Sequence, residues 1–568
     1  MIRRLGALFA GAAIAIWPAG TVLGGQGALP DLNHIVVIYL ENHSFDNLFG
    51  GWEGVNGRSN AAAGNTIQVA QDGTTYTCLL QNDVNLTSPP QPVACSGVDA
   101  KGNAFNSYFG NSPFSIDSVI PSTATTCPPP SQFAAHGVVN GKGLPGGCTE
   151  DLVHRFYQEQ YQLNGGAQNR YVQGSDAVGL TMGYYETQLL PLYQYLHQNG
   201  HPSYAIADNF FQGAFGGSFL NHQWLIAAAA PVWANAVNDG SSQDLHSALD
   251  ANGMPNNYPL YASPLGTSVK DQQETQSCNP ASTRPPVQPA FLCGDYAVNT
   301  SQPTYQPFSP GTPSFKQLPP LTNPNIGDRL SAAHVDWAWY SGGWSNADGD
   351  VGAPGWTNGT TPGTCTDPNH NTADVYPHCA DFLFQFHHQP FNYFANYAPG
   401  TQARAKHLRD EAEFKSLIAS STSECNLKRV SFVKPIGEEN EHPGYGSEPN
   451  GSDATVSLIS SIENSACAGN TTVVLTYDEF GGQWDHVTPP GQGGTAGPHD
   501  VFGPGTRIPA LVVARHLAGG FVVDHTQYDT TSIIATLEQI YHLPPVATRD
   551  AQVNSLLNVF SAQPPQLS

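Results

Sequence analysis

The chain has 568 residues and a formal net charge of −24, from 21 Lys+Arg against 45 Asp+Glu. Only 12% of its residues are charged and 40% are hydrophobic, while 58 Gly and 46 Pro supply turn-forming residues throughout. This composition is too apolar for a disordered chain and too rich in turn formers for a helical bundle. The acidity disfavours nucleic acid and an anionic membrane surface as partners, because both require a basic patch on the protein.

The start of the chain, residues 1–25, is predicted to be an export signal. Arg3 and Arg4 form a positive start, and an apolar run over residues 5–17 follows them. No other stretch approaches the length of a membrane span, so the mature chain is expected to lack a transmembrane segment. We therefore expect a periplasmic or secreted protein, in which residues 30–560 form a single α/β domain.

The first predicted strand is His34–Leu40, an apolar run rich in β-branched residues. Such a run is typical of a strand that is covered on both faces of a parallel sheet. Glu41 and Asn42 follow it directly, where ligands of open α/β sheets collect. They are candidate metal ligands, and the alternative is that they are ordinary turn residues.

Two long stretches, at about 51–148 and 235–330, are rich in Pro, Gly, Ser and Asn. We predict that they are loop insertions over one core, pinned by disulfide bonds. Ten cysteines, none in a C-x-x-C pair, indicate up to five disulfides in an oxidising compartment. Plausible pairs of neighbours are Cys78–Cys95, Cys127–Cys148, Cys278–Cys293 and Cys365–Cys379.

Helices are predicted at residues 151–163, 219–230 and 530–541. His154 lies in the first of them. These helices follow or lie between strands whose continuous apolar character is typical of a parallel sheet, which predicts an α/β fold with a mostly parallel sheet flanked by helices.

A candidate nucleophile, Ser218, precedes the second predicted helix. Gly216 and Gly217 allow a tight turn before it, and His222 lies four residues on, on the same helical face. A hydroxyl at a helix N-terminus faces unpaired N–H groups, which favour an alkoxide and bind phosphate. The alternative is that Ser218 only caps the helix, which is the commoner role of a serine there.

A second core strand is predicted at Thr471–Tyr477, followed at once by Asp478 and Glu479. Polar pairs after two matching strands favour a metal site over simple turns. Three carboxylates and one amide suit a divalent cation such as Mg, Ca or Mn, and histidine ligands would shift the preference toward Zn or Fe.

Several blocks of this sequence resemble the phosphoesterase family, which includes secreted acid phosphatases and non-haemolytic phospholipases C. The string Glu-Asn-His-Ser-Phe-Asp-Asn-Leu-Phe-Gly at residues 41–50 matches the family's signature. Further blocks follow in the family's order, at residues 208–211, 216–224, 387–391, 441–443 and 478–482. The resemblance implies an alkaline-phosphatase-like α/β fold and metal-dependent cleavage of phosphate esters.

Site residues are also implied by this resemblance, block by block. Ser218 is the implied nucleophile and also contacts the metal, whose other implied ligands are Glu41, Asn42, Asp478 and Glu479. The implied phosphate-binding and acid–base residues are His154, His387, His388 and His442. The phospholipase C branch typically has threonine and a Pro-Asn-Arg string where this chain has Ser218 and Leu220-Asn221-His222, and this difference favours the acid phosphatase branch.

Three functions follow as hypotheses. The first is a phosphatase that cleaves phosphate monoesters through Ser218. The second is a phospholipase C or other phosphodiesterase, acting on a phospholipid in a vestibule lined by aromatic side chains that otherwise belong to the core, namely Trp337, Trp339, Tyr340 and Trp344. The third is a secreted, non-enzymatic protein that binds a structural calcium ion.

Overall fold

The computed structural model describes residues 30–81, 92–119, 149, 151–233, 247, 249–266, 296–446 and 448–565. The predicted export signal at residues 1–25 lies outside these ranges. So do the cysteines of two predicted pairs, Cys127–Cys148 and Cys278–Cys293. Within the described ranges, no helix is both long and apolar enough to cross a membrane.

An eight-stranded sheet forms the centre of the molecule. Its strands lie in the order β11 (Leu408–Asp410), β10 (Trp337–Ser341), β12 (Val430–Lys434), β1 (His34–Leu40), β13 (Thr471–Tyr477), β14 (Ala510–Val513), β6 (Tyr204–Ala207) and β15 (Phe521–Asp524). Only β14 runs antiparallel to its neighbours, so the sheet is mostly parallel as predicted. The other described strands form two-stranded sheets: β2 Cys95–Val98, β3 Ala104–Ser107, β4 Phe114–Ser115, β5 Gly183–Tyr184, β7 Phe210–Phe211, β8 Gln302–Pro303, β9 Gln317–Leu318 and β16 Tyr528–Asp529.

Helices flank this sheet and confirm the α/β class. In the described ranges they are α1 Phe45–Leu48, α2 Ala63–Thr66, α3 Phe156–Leu163, α4 Pro191–His197, α5 Ser218–Ala227, α6 Ile326–Ala332, α7 Trp344–Asp348, α8 Gln402–His407, α9 Glu411–Ser420, α10 Glu448–Glu463 and α11 Thr531–Tyr541. The predicted helix at 530–541 is therefore confirmed to within one residue, and that at 219–230 begins one residue earlier and ends at Ala227.

The two predicted core strands are confirmed with their predicted bounds, and they are neighbours. In β1 every residue after His34 is buried, and β13 is buried throughout. Their register pairs Leu40 with Tyr477. Because parallel strands with this register end at the same level, the residues that follow them leave the sheet side by side.

The predicted helix at residues 151–163 is wrong at its start. Residues 151–155 are not helical, and α3 begins at Phe156. This stretch runs against the glycine turn before α5, where a Cβ on Gly216 would lie 2.5 Å from the Phe156 nitrogen and one on Gly217 would lie 2.8 Å from the His154 oxygen. Tertiary contact with the two glycines therefore replaces the local helical preference.

Three disulfide bonds are present among the described residues: Cys78–Cys95, Cys365–Cys379 and Cys425–Cys467. The first two confirm predicted pairs. The third links the segments that lead into β12 and β13. The division into one domain with two insertions stays a prediction.

The aromatic cluster belongs to the core and does not form a vestibule. Trp337, Trp339 and Tyr340 lie on β10, an interior strand of the sheet, and Trp344 lies on α7; all are at most 1% exposed. The vestibule prediction is therefore wrong. Trp339 instead holds the backbone of a candidate site residue, since its Nε1 donates to the backbone oxygen of His388 at 2.8 Å.

Candidate active site

A cavity of about 480 Å³ opens next to the residues that follow β1. Its lining includes six of the residues that the sequence singled out, namely Glu41, His154, Ser218, His387, His388 and His442. The sheet register places the residues after β13 beside those after β1. The carboxyl edge of the sheet therefore carries the candidate site.

Ser218 is the first residue of α5, and its hydroxyl does not cap that helix. The capping position belongs to Gly217, and no side chain makes a capping hydrogen bond there. Instead, Ser218 Oγ donates to Glu41 Oε2 at 3.0 Å and lies 3.4 Å from Asn42 Oδ1. The alternative role of Ser218 as a plain N-cap is therefore wrong, and its hydroxyl points at the candidate metal ligands.

Glu41 is fully buried and its two oxygens face different partners. Oε1 lies 2.7 Å from His388 Nε2 and also contacts the ammonium group of Lys434, while Oε2 faces Ser218. Burial alone would raise the pKa of Glu41, but the charges of His388 and Lys434 hold it well below its usual value. Glu41 is therefore an ionised carboxylate whose orientation is fixed by two partners.

Asn42 brings two histidines together at the edge of the cavity. Its backbone takes a positive φ of 63°, which asparagine tolerates, and its Nδ2 donates to His442 Nε2 at 2.8 Å and lies 3.4 Å from His154 Nε2. The Nδ1 atoms of these histidines donate to the backbone oxygens of Pro443 and Leu152. Both rings therefore turn Nε2 toward Asn42.

Asp478 and Glu479 form a buried pair at the end of β13. Asp478 Oδ1 accepts from the Asn42 nitrogen at 3.3 Å and from the Glu479 nitrogen at 2.8 Å. Glu479 Oε2 accepts from the Gly481 nitrogen at 2.6 Å, and its Oε1 lies 3.6 Å from His154 Nε2. Burial raises the pKa of both carboxyls well above their usual values, and neighbouring negative charges add to this effect.

Three further imidazoles pack beside these carboxylates. The ring of His222 stacks on that of His388 with centroids 5.1 Å apart, and the His387 centroid lies 5.9 Å from that of His222. His222 Nδ1 lies 3.8 Å from Asp478 Oδ2. Burial lowers the pKa of His222 and His387 well below the usual value, and lowers that of His388 and His442 to about 4. Burial therefore disfavours the charged form of each of these rings.

The structure brings all nine sequence-predicted site residues into one contact network. The catalytic roles assigned to them stay predictions. Two buried neighbours, Lys434 and Glu159, were missed, because a single Lys at a strand end and a single Glu in a helix carry no motif. Of the described histidines and carboxylates, the groups whose ligand atoms lie within 4.8 Å of one another are Glu41–His222–His388, Asp151–His154–His442 and Asp46–Asp485–His486.

The third of these groups is already held by a cation of the chain. Arg507 contacts Asp46 and Asp485 at 3.1 Å each, and His486 Nδ1 lies 2.6 Å from Asp46 Oδ2. This cluster is a buried ion-pair network. Of the first two groups, Glu41, His388 and all three members of the second line the cavity, whereas His222 lies behind them.

Comparisons with known proteins agree with the family resemblance of the sequence. The model of the phosphoesterase family matches residues 32–544. Phospholipase C A of Mycobacterium tuberculosis is 23% identical over an alignment of 603 positions, which covers 99% of this chain and 85% of that protein. Non-specific phospholipase C6 of Arabidopsis thaliana is 28% identical over 151 residues, covering 23% of this chain and 29% of its own.

Matches to solved structures are partial. A protein in the alkaline phosphatase superfamily from Vibrio parahaemolyticus aligns over 40% of this chain and 50% of its own, with a TM-score of 0.20 and 12% identity. A phosphonate monoester hydrolase from Silicibacter pomeroyi aligns over 22% and 23%, with a TM-score of 0.15 and 15% identity. The mostly parallel sheet itself carries the assignment to the α/β class.

Proposed function

Because the chain belongs to the phosphoesterase family, and is thus a hydrolase of phosphoric esters, we propose that Ser218 is its nucleophile and that a divalent metal ion is its cofactor. One observation supports this proposal above the others. The hydroxyl of Ser218 is not used in capping α5 and donates to Glu41 Oε2 at the wall of the cavity. The non-enzymatic calcium-binding hypothesis is not retained.

The donor set fits a divalent cation. Glu41, Asp478 and Glu479 are buried at one sheet edge, and within the described ranges Asp478 Oδ2 and Glu479 Oε1 make no hydrogen bond. Buried carboxylates of this kind are costly unless a cation shares their charge. Asn42 and Ser218 would complete an oxygen-rich set with these three. When bound, such a metal lowers the pKa of a coordinated hydroxyl and neutralises charge on a phosphoryl group.

The residues of the chain would act in two steps. Ser218 Oγ forms a bond to phosphorus as the bond to the leaving oxygen breaks, and the hydroxyl proton moves toward Glu41 Oε2. Water then forms a bond to phosphorus as the bond from phosphorus to Ser218 Oγ breaks. Oγ takes its proton back from Glu41, a histidine takes a proton from the water, and the phosphate product leaves. The first residues of α5 line the cavity, so the N–H groups of its first turn would favour a phosphate bound there.

Histidines would supply the proton for the leaving oxygen. His154 and His442 border the cavity with Nε2 turned toward Asn42. A bound phosphate would place negative charge beside His442 and raise the proton affinity of this ring, which opposes the lowering that burial causes. His387, half-buried and also on the cavity wall, is the alternative donor.

For the substrate, we propose a phosphodiester of the phospholipid type ahead of a monoester. Support comes from the relatives, which are named phospholipases C and of which one aligns with 99% of this chain. The monoester, favoured by the sequence, stays a second candidate because Ser218 and His222 stand where the phospholipase C branch carries threonine and arginine.

A paired assay on the mature protein tests the substrate class. We expect the protein to turn over p-nitrophenylphosphorylcholine faster than p-nitrophenyl phosphate, because its relatives are named phospholipases C. The assay is run across mildly acidic to neutral pH with added divalent metal. Faster monoester cleavage would assign the chain to the acid phosphatases, and cleavage of neither compound would contradict the proposed function.

Removal of the metal is expected to abolish turnover and to lower the melting temperature. Without it, Glu41, Asp478 and Glu479 have only Lys434 as a contacting lysine or arginine partner among the described ion pairs. The measurement compares native and EDTA-dialysed protein by differential scanning fluorimetry and by assay, with Mg, Ca, Mn, Zn or Fe added back singly. A metal-free protein with full turnover would contradict the cofactor proposal.

We also propose that the mature protein is periplasmic or secreted. The predicted export signal at residues 1–25 and the disulfides Cys78–Cys95, Cys365–Cys379 and Cys425–Cys467 support this. In a reducing compartment these bonds would not persist. Mass spectrometry of the exported protein tests the loss of the first residues.

A further inference from the structure

Glu159 is a fully buried carboxylate on α3 that does not line the active-site cavity. Its Oε2 accepts from the Gly216 nitrogen at 2.5 Å and from Gln212 Nε2 at 2.8 Å. Its Oε1 accepts from the nitrogen of Thr506 at 2.7 Å and from its hydroxyl at 2.9 Å. Both oxygens are thus occupied by protein groups, so Glu159 has no direct part in the chemistry.

The bond to Gly216 acts two residues before the candidate nucleophile. Gly216 has a φ of 89°, which only glycine adopts freely, and Asn221 closes the same turn by accepting from the Ala214 nitrogen and donating to the Gly216 oxygen. The next residues bring Ser218 to 3.0 Å from Glu41 Oε2. The Glu159 carboxylate therefore anchors the turn from which Ser218 projects.

Gln212 extends this anchor to the second half of the site. Its Nε2 donates to Glu159, and its Oε1 accepts from the Phe480 nitrogen at 3.0 Å. Phe480 directly follows Asp478 and Glu479. One pair of buried side chains thus joins the nucleophile turn to the loop that carries two candidate metal ligands.

We propose that Glu159, acting with Gln212, is a positioning residue that holds the Ser218 turn in register with the Asp478–Glu479 loop. The inference rests on the proposed function of Ser218. Positioning by such a contact is worth a large factor in rate, since a displacement of about 1 Å at a reacting group costs on the order of 10²-fold.

The test compares Glu159→Gln with the control Thr506→Val. Glutamine keeps the size of the side chain but turns an N–H group toward a donor, at Gly216 or at Thr506. The control removes the hydroxyl bond to the same carboxylate, together with the 3.2 Å contact of that hydroxyl with the Tyr171 hydroxyl, and it leaves the bonds from Gly216 and Gln212 intact. Glu159→Gln is expected to lower kcat by about 10²-fold with KM within about 3-fold, and Thr506→Val is expected to keep kcat within about 3-fold at a similar loss of stability.

Amide hydrogen exchange supplies a readout that does not depend on turnover. Faster exchange at residues 213–218 and 479–482 is expected in Glu159→Gln, and no change there in Thr506→Val. If Glu159→Gln does not fold, Glu159→Asp, which keeps the charge but draws it back by one methylene, is expected to show the same pattern at smaller amplitude.

Three results would overturn the inference. The first is a kcat in Glu159→Gln within 3-fold of the starting value, the second is an equal loss of kcat in both variants, and the third is unchanged exchange in the two segments. If the unaltered protein cleaves no phosphate ester, the proposed function fails, and the exchange result alone then decides whether Glu159 anchors the turn.

Discussion

Replacing Ser218 by alanine is expected to lower kcat by at least about 10³-fold while the protein stays folded. The change removes one oxygen, which contacts Glu41 and Asn42 and takes no part in capping α5. Loss of the nucleophile removes the covalent step, whereas the helix keeps its backbone cap at Gly217. Turnover of whichever p-nitrophenyl ester the protein prefers, with circular dichroism on the same sample, is the measurement.

Ser218→Thr is the matched variant, because it keeps a hydroxyl at the same position. It is expected to retain a measurable fraction of the turnover and to form a covalent phosphoryl adduct detectable by intact mass after rapid acid quench. An alanine variant that works within 10-fold of the original rate would show that the nucleophile lies elsewhere.

Replacing Lys434 by methionine is expected to lower the free energy of unfolding by about 3–5 kcal/mol. Lys434 is fully buried at the end of β12, where its ammonium contacts Glu41 and donates to the Leu40 oxygen at 3.2 Å. Methionine fills similar space but leaves the Glu41 carboxylate buried without this charge. Urea unfolding of the metal-free protein measures the loss, and turnover of the metal-loaded protein is expected to fall as well.

An exposed lysine provides the control for this variant. Lys406, whose side chain is 60% exposed and lies 3.8 Å from Asp336, is expected to change stability by less than about 0.5 kcal/mol when replaced by methionine. Adding Glu41→Gln to Lys434→Met is expected to recover part of the lost stability, because the uncompensated charge is then absent. Equal urea midpoints for Lys434→Met and the original protein would refute the assigned role.

The central strands and the site edge were predictable from sequence because their signals are local. His34–Leu40 and Thr471–Tyr477 are continuous apolar runs, and each is followed by polar pairs that have no reason to be buried unless they bind something. Motif order then placed Ser218 and the four histidines with them. The third disulfide, Cys425–Cys467, was not predicted because its cysteines lie 42 residues apart.

What sequence reasoning missed depends on distant contacts. The stretch around His154 was predicted to be helical, and it is not, because the glycines of a turn more than 60 residues later pack against it. Lys434 meets Leu40 across 394 residues, and Glu159 meets Thr506 across 347. No neighbouring residue in the sequence indicates these distant contacts. A buried Lys or Glu therefore cannot be told from an exposed one by its local sequence.

The pairing of β1 with β13 also has a consequence for synthesis of the chain. Asn42 and Asp478, which join the ends of these strands, are separated by 436 residues, and the other neighbour of β1 is β12. The strand made first therefore waits for its partners until late in translation, and contacts of such long range form slowly. We expect spontaneous refolding to be slow and prone to aggregation through the unpaired β1. Until β12 and β13 are synthesised the centre of the sheet cannot form, so this delay also suits the export that we propose for the chain.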